Sequence, residues 1–133
     1  ISMQLQKEII ITIIIITLVI IGNIITQNNT KSAVEVVSMQ LDSIKQETMQ
    51  ENKNEEELKE KLELIEKTWK EKYETLAYYV EHEELEKVET EITKLRANLS
   101  TKEYQTAVEN IDTCTFILSH IKDKSALKIV NIF

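Results

Sequence analysis

From Ile9 to Ile25 the chain reads IIITIIIITLVIIGNII, broken only by Thr12, Thr17, Gly22 and Asn23 and carrying no charge. Glu8 and Lys31 are the nearest ionisable residues on either side. As a helix, these residues span roughly 26 Å, and the whole charge-free run to Thr30 about 33 Å, which brackets a bilayer core. Ile and Val favour strands in water. In hydrocarbon, unpaired backbone groups cost several kcal/mol each, so a lone segment satisfies them internally as a helix. The apolar side chains contribute about −4 to −8 kcal/mol to insertion, and Thr12 and Thr17 can bond back to their own turns. The pattern predicts a transmembrane anchor over 9–26, after a short flank at 1–8. A retained anchor is favoured over a cleaved signal peptide, because no small-x-small pair of the Ala-x-Ala kind follows the run.

Beyond a polar linker at 27–31, the apolar positions take up helical spacing over 32–133. Val34, Val37, Leu41 and Ile44 make the first face. Nothing in the linker forces a stop, so the anchor can run straight into this helix. Gln50–Asn54 reads as a turn. A second helix opens near Asn54, with Glu55, Glu56 and Glu57 in its first turn, where they complement the helix dipole. Its face is Leu58, Leu62, Ile65, Trp69, Tyr73, Leu76 and Val80. Leu85, Val88, Ile92, Leu95 and Leu99 continue the pattern past the polar Glu81–Glu84 segment. Either the chain turns there or one long helix runs over 55–99 with a local irregularity; with no Gly or Pro to break it, the long helix is favoured. Ser100-Thr101-Lys102-Glu103 has the form of a capping box. It would open a last helix that buries Tyr104, Val108, Ile111, Cys114 or Thr115, Leu118 and Ile121. The tail SALKIVNIF is expected as a turn and an extended end, docked partly on the bundle and leaving an edge for a partner. The fold class is therefore all-α: one N-terminal membrane helix followed by a three- or four-helix antiparallel bundle.

Composition sharpens this. The chain has 133 residues, no Pro, one Gly and one Cys, so hairpin punctuation is nearly missing and no intrachain disulfide can form. Net charge is −7, and it is concentrated. The segment 51–92 carries fifteen Glu against seven Lys, whereas 93–133 is net +2. Nucleic acid, which requires a basic footprint, is excluded as a partner. Glu55–Lys59, Glu57–Lys61, Glu63–Lys67 and Glu66–Lys70 fall at i,i+4 in the favourable order. This acidic run reads as a solvated face before it reads as a docking surface.

Candidate chemistry is sparse. His82 with Glu86 at i,i+4 offers two ligand positions, and His120 could join from the last helix, but zinc needs three or four. Neither His-Glu-x-x-His nor the Glu-x-x-His repeat of di-iron bundles occurs. The single Gly lies in the anchor, so no phosphate-binding loop can be built. Cys114, at a core position with no basic neighbour in sequence, reads as a small packing residue. Trp69 reads as core, and Tyr78 and Tyr79 as surface. Asn28-Asn29-Thr30 and Asn98-Leu99-Ser100 match glycosylation sequons, which matter only in a eukaryotic secretory setting. No catalytic, cofactor-binding or metal-binding residue is assigned.

Trp69, Leu76, the segment Glu81-His82-x-Glu84-Leu85, the pair His120-Ile121 and the ending Leu127-x-Ile129-x-Asn131-Ile132-Phe133 resemble a family of small proteins from spore-forming anaerobic bacteria, domain of unknown function family 4363. The resemblance covers the anchor and about 58–133. It implies a bacterial, membrane-tethered helical domain without an established activity, from which no catalytic residue carries over. It also implies a partner at the membrane. The expected function is a non-enzymatic interaction or accessory module, bound to the lipid bilayer through 9–26. Its bulk is expected on the extracytoplasmic side, because long downstream domains translocate largely regardless of charge. The alternatives are a small-molecule- or metal-binding sensor or enzyme inside the bundle, and a pilin-like subunit.

Overall fold

The computed structural model describes the backbone of residues 2–132 and the side chains of residues 2–127. Four helices follow one another: α1 (Met3–Thr48), α2 (Glu55–Leu76), α3 (His82–Ser100) and α4 (Tyr104–Ile132). No strand occurs among the described residues.

The apolar run and the first bundle helix are a single helix of 46 residues, α1. Ser2 caps it, accepting from the Leu5 N–H at 3.2 Å. Thr12 and Thr17 donate to the carbonyls of Glu8 and Ile13, each at 2.8 Å, so these hydroxyls need no other partner. The residues at 27–31, expected as a linker, are helical, and Thr30 is fully buried. No residue in the most apolar eighteen of α1 is buried against the rest of the chain. The second part of the same helix forms one wall of the bundle, burying Ala33, Val34, Val37, Leu41 and Ile44.

The helices run alternately up and down, each packed antiparallel to its neighbours. Gln40 donates to Thr68 at 2.9 Å between α1 and α2, and Lys45 meets Asp112 at 2.7 Å between α1 and α4. Asn98, Asn110 and Glu91 form a hydrogen-bonded chain between α3 and α4. These polar contacts fix the register of a core built from the predicted faces. Leu58, Leu62, Ile65, Trp69, Leu76, Leu85, Val88, Ile92, Leu95, Ile111, Leu118 and Ile121 are all buried, with Tyr73, Val80, Leu99 and Tyr104 packed against them. Cys114 rather than Thr115 takes the core position, and Ala107 joins it.

Three expectations about the path of the chain are corrected. The stretch 55–99 is two helices, separated by a turn at 77–81. A single helix would be about 68 Å long, while the buried part of α1 from Thr30 to Thr48 offers only about 28 Å to pack on. Folding back is what lets both apolar halves reach the core. Ser100 is not a helix start; it is the last residue of α3, and its hydroxyl donates to the Ala97 carbonyl at 2.7 Å. Lys102 then adopts φ 60°. The Glu103 N–H reaches the Asn98 carbonyl at 2.8 Å and the Lys102 N–H that of Leu99 at 3.2 Å. This is a Schellman closure with lysine where glycine is usual. Finally, the tail is helix and not an extended end, since α4 continues to Ile132. The expected docking of the tail's own side chains falls on 128–133, outside the residues whose side chains are described.

Asn54 opens α2 as expected, accepting from Glu57 N–H at 3.1 Å. The turn before it is held by Glu47, a buried carboxylate of α1 that accepts the Asn54 N–H at 3.0 Å.

Candidate functional site

In this ring of four helices, α1 packs broadly on α2 and α4, and α3 on α4, but α2 and α3 barely touch. The reason is visible in where their apolar faces go. Leu58, Leu62 and Ile65 turn toward the core beside α1, while Leu85, Val88, Ile92 and Leu95 serve the α3–α4 contact. The α2–α3 seam is then spanned by polar pairs. Glu66 and Arg96 are joined by an ion pair and a hydrogen bond. Glu55 meets Lys102 at 3.0 Å, and the Tyr73 hydroxyl lies 3.1 Å from His82 Nδ1.

The Glu66–Arg96 bridge divides the seam into two open hollows. One, of about 570 Å³, is floored by Leu58, Leu62, Leu99 and Tyr104 and walled by Glu55, Glu63 and Lys102. The other, of about 620 Å³, is lined by Trp69, Tyr73, Ile92 and Thr93. Together they form an amphipathic groove along α2 from Glu55 to Tyr73, about 27 Å long at the helical rise. It combines an apolar floor with a polar rim, the form that interaction sites take.

The groove recruits part of the charge run on α2. Of the four i,i+4 pairs expected there, Glu57–Lys61 forms, at 3.3 Å. Glu55 and Glu66 pair across the seam instead, with Lys102 and Arg96. Arg96 was missed by reasoning from periodicity, although it had one signal: it is the chain's sole arginine. Arginine's planar fork suits a two-point grip on carboxylate where lysine would serve elsewhere.

The remaining candidates are placed as follows. His82 is exposed at the start of α3, with Nε2 2.9 Å from Glu86 and the other ring nitrogen toward Tyr73. His120 is exposed on α4. Among the described residues no group of three or more His, Cys, Asp or Glu could hold a metal ion. Cys114 is buried, and burial pushes its thiol up to about 12, with the negative charge of Glu91 adding to the effect. At neutral pH such a thiol is protonated and a poor nucleophile. The Lys102 ammonium, hydrogen-bonded to Glu55 and attracted by its charge, is held above the usual lysine range. Trp69 is buried with its ring edge-on to Tyr73, centroids 6.1 Å apart, and its indole N–H has no acceptor. Tyr78 is 85% exposed at the α2–α3 turn.

Compared with known families, residues 16–132 match the model of a domain of unknown function (DUF4363). No curated protein and no solved structure matches the chain.

Proposed function

The chain belongs to the family of this domain of unknown function, DUF4363, and we propose that it is a single-pass membrane-anchored interaction module without enzymatic activity. The observation that carries the reading is the make-up of α1. Its first part is apolar with none of its most apolar eighteen residues buried, and its second part is a wall of the bundle, with no break between them. A continuous helix holds the bundle at a set height and angle above the bilayer, whereas a flexible linker would not. The α2–α3 groove then receives an amphipathic helix of a second membrane protein, whose apolar stripe covers Leu58, Leu62 and Leu99 while its polar flanks meet the rim. Tethering both partners to one membrane raises their mutual concentration, so a modest groove suffices. The bundle stands on the extracytoplasmic side.

Two measurements test this. The full chain should resist alkaline extraction from membranes, and Ile14→Arg should release it, since an arginine at mid-span costs about 2.5–3.5 kcal/mol on the insertion scale. A photo-crosslinker at Glu63 or Ser100 on the groove should capture one and the same membrane protein, and at Asp42, exposed on α1, should not. Alkali-soluble wild-type chain refutes the anchor. Equal capture from all three positions refutes the groove as the docking face.

A further inference from the structure

We infer that the end of the bundle nearest the anchor is a second lipid-contacting element, in which the last two turns of α4 pass the headgroup layer into the acyl region beside α1. The inference rests on the anchoring of α1 and adds to it.

The placement follows from the antiparallel α1–α4 pair. Far from the anchor, Lys45 of α1 meets Asp112 of α4. Near it, a small cavity of about 50 Å³ is lined by Asn23 and Thr26 of α1 together with Ile121, Lys124 and Ser125 of α4. Lys124 therefore stands level with the end of the apolar run, which closes at Ile25. Beyond it α4 continues as helix to Ile132. Eight more residues advance the backbone about 12 Å, alongside the uncharged part of α1. A hydrocarbon core of about 30 Å measured from Ile9 closes near Asn28, so Lys124 stands about at the boundary between headgroups and acyl chains and this advance carries the end of α4 into the acyl region.

The residues carried there suit that environment. The segment 125–132 reads SALKIVNI, with no acidic residue and one lysine. Leu127, the last with a described side chain, is 59% exposed. The α2–α3 turn lies at the same level, since Tyr79, Val80 and Glu81 line the same cavity, and it projects Tyr78 outward. Tyrosine is enriched at membrane interfaces because its ring is apolar and its hydroxyl wet. Asp123 and Glu83 are exposed at this end, and the acidic groups lining the cavity are paired. Glu81 is neutralised by Lys124 at 3.0 Å, and Glu84 lies 3.9 Å from Lys87, while Lys31, Lys122 and Lys128 add positive charge attractive to anionic lipid.

The test uses the full chain in vesicles of phosphatidylcholine and phosphatidylglycerol brominated at shallow or deep acyl positions. In a Trp69→Phe background, single tryptophans are placed by Ile15→Trp in the anchor, Leu127→Trp in α4 and Met49→Trp at the far end of the bundle. Ile15→Trp should lose emission most to deep bromines, Leu127→Trp most to shallow bromines, and Met49→Trp to neither. An unquenched Ile15→Trp overturns the anchor and this inference together. A quenched Ile15→Trp with Leu127→Trp as bright as Met49→Trp overturns this inference alone. So does a Leu127→Trp that is unquenched yet shielded from aqueous iodide in a dimeric chain, which would seat a second copy there. If Trp69→Phe unfolds the bundle, a spin label at Leu127→Cys in the Cys114→Ala chain answers the same question with Trp69 in place. Greater collision with oxygen than with a water-soluble nickel chelate is expected, and the reverse overturns the inference.

Discussion

Lys102 makes a prediction whose sign is opposite to the ordinary rule. At a normal helix position glycine is worse than alanine by about 1 kcal/mol, since it leaves more backbone freedom to be lost on folding. At position 102 the backbone has φ 60°, a region where any Cβ crowds the following carbonyl at a cost of roughly 1–2 kcal/mol. The conformation is imposed by the two closing hydrogen bonds, Glu103 N–H to Asn98 and Lys102 N–H to Leu99, and by the need to turn α3 into α4 within three residues. Lys102→Gly and Lys102→Ala both remove the salt bridge to Glu55, which is fully exposed and screened by water. The comparison between them therefore isolates the backbone. Subtracting glycine's entropic cost from the relief of crowding leaves Lys102→Gly more stable than Lys102→Ala by up to about 1 kcal/mol. Urea unfolding of the detergent-solubilised full chain, followed by emission of the sole tryptophan, Trp69, should put the two midpoints roughly 0.3–1 M apart at ordinary urea slopes. Equal midpoints, or a higher one for Lys102→Ala, would show that the turn is not strained there and that the Schellman closure is misassigned.

Two further outcomes follow from the core. Trp69→Ala should cost about 3–5 kcal/mol, because the ring is 4% exposed and packs against Tyr73; wild-type emission should be blue-shifted, and a water-like maximum in the folded chain would contradict the burial. Cys114 should resist aromatic disulfide reagents until the bundle unfolds. Its thiol titrates near 12 in the fold against an ordinary value of 9.0, so its contribution to stability is complete below pH 9 and is lost as pH rises toward 12. The loss is at most about 1.4 kcal/mol per pH unit in that window, and Cys114→Ala should flatten this part of a stability-versus-pH profile. An identical alkaline profile in the variant would assign the loss to other groups.

What could be read from the sequence was whatever has a local cause. The run from Ile9 to Ile25 is apolar on every side, so it needs no partner to be recognised. The bundle faces are legible because a residue that must be buried recurs at the helical period, and nearly every predicted face position lies in the core. Asn54 followed by three glutamates marks the start of α2, since capping and dipole effects act within one turn.

Tertiary structure decided the rest, because there local preferences were nearly balanced. Nothing between Leu76 and Leu85 forbids a helix, and the break at 77–81 exists because the buried part of α1 is too short a platform for both apolar halves in line. Ser100 has the side chain of a helix start, but the sharp reversal at Lys102 makes it a helix end. Glu55 and Glu66 have lysines one turn away and yet pair with Lys102 and Arg96, since a bridge across the seam also ties two helices together. The groove itself could not be foreseen, as it arises from which helix faces which. Likewise the tail SALKIVNIF carries no signal of its own for turn or helix. Its backbone continues to Ile132 as part of α4, and only the antiparallel packing of α4 on α1 directs it along the apolar run.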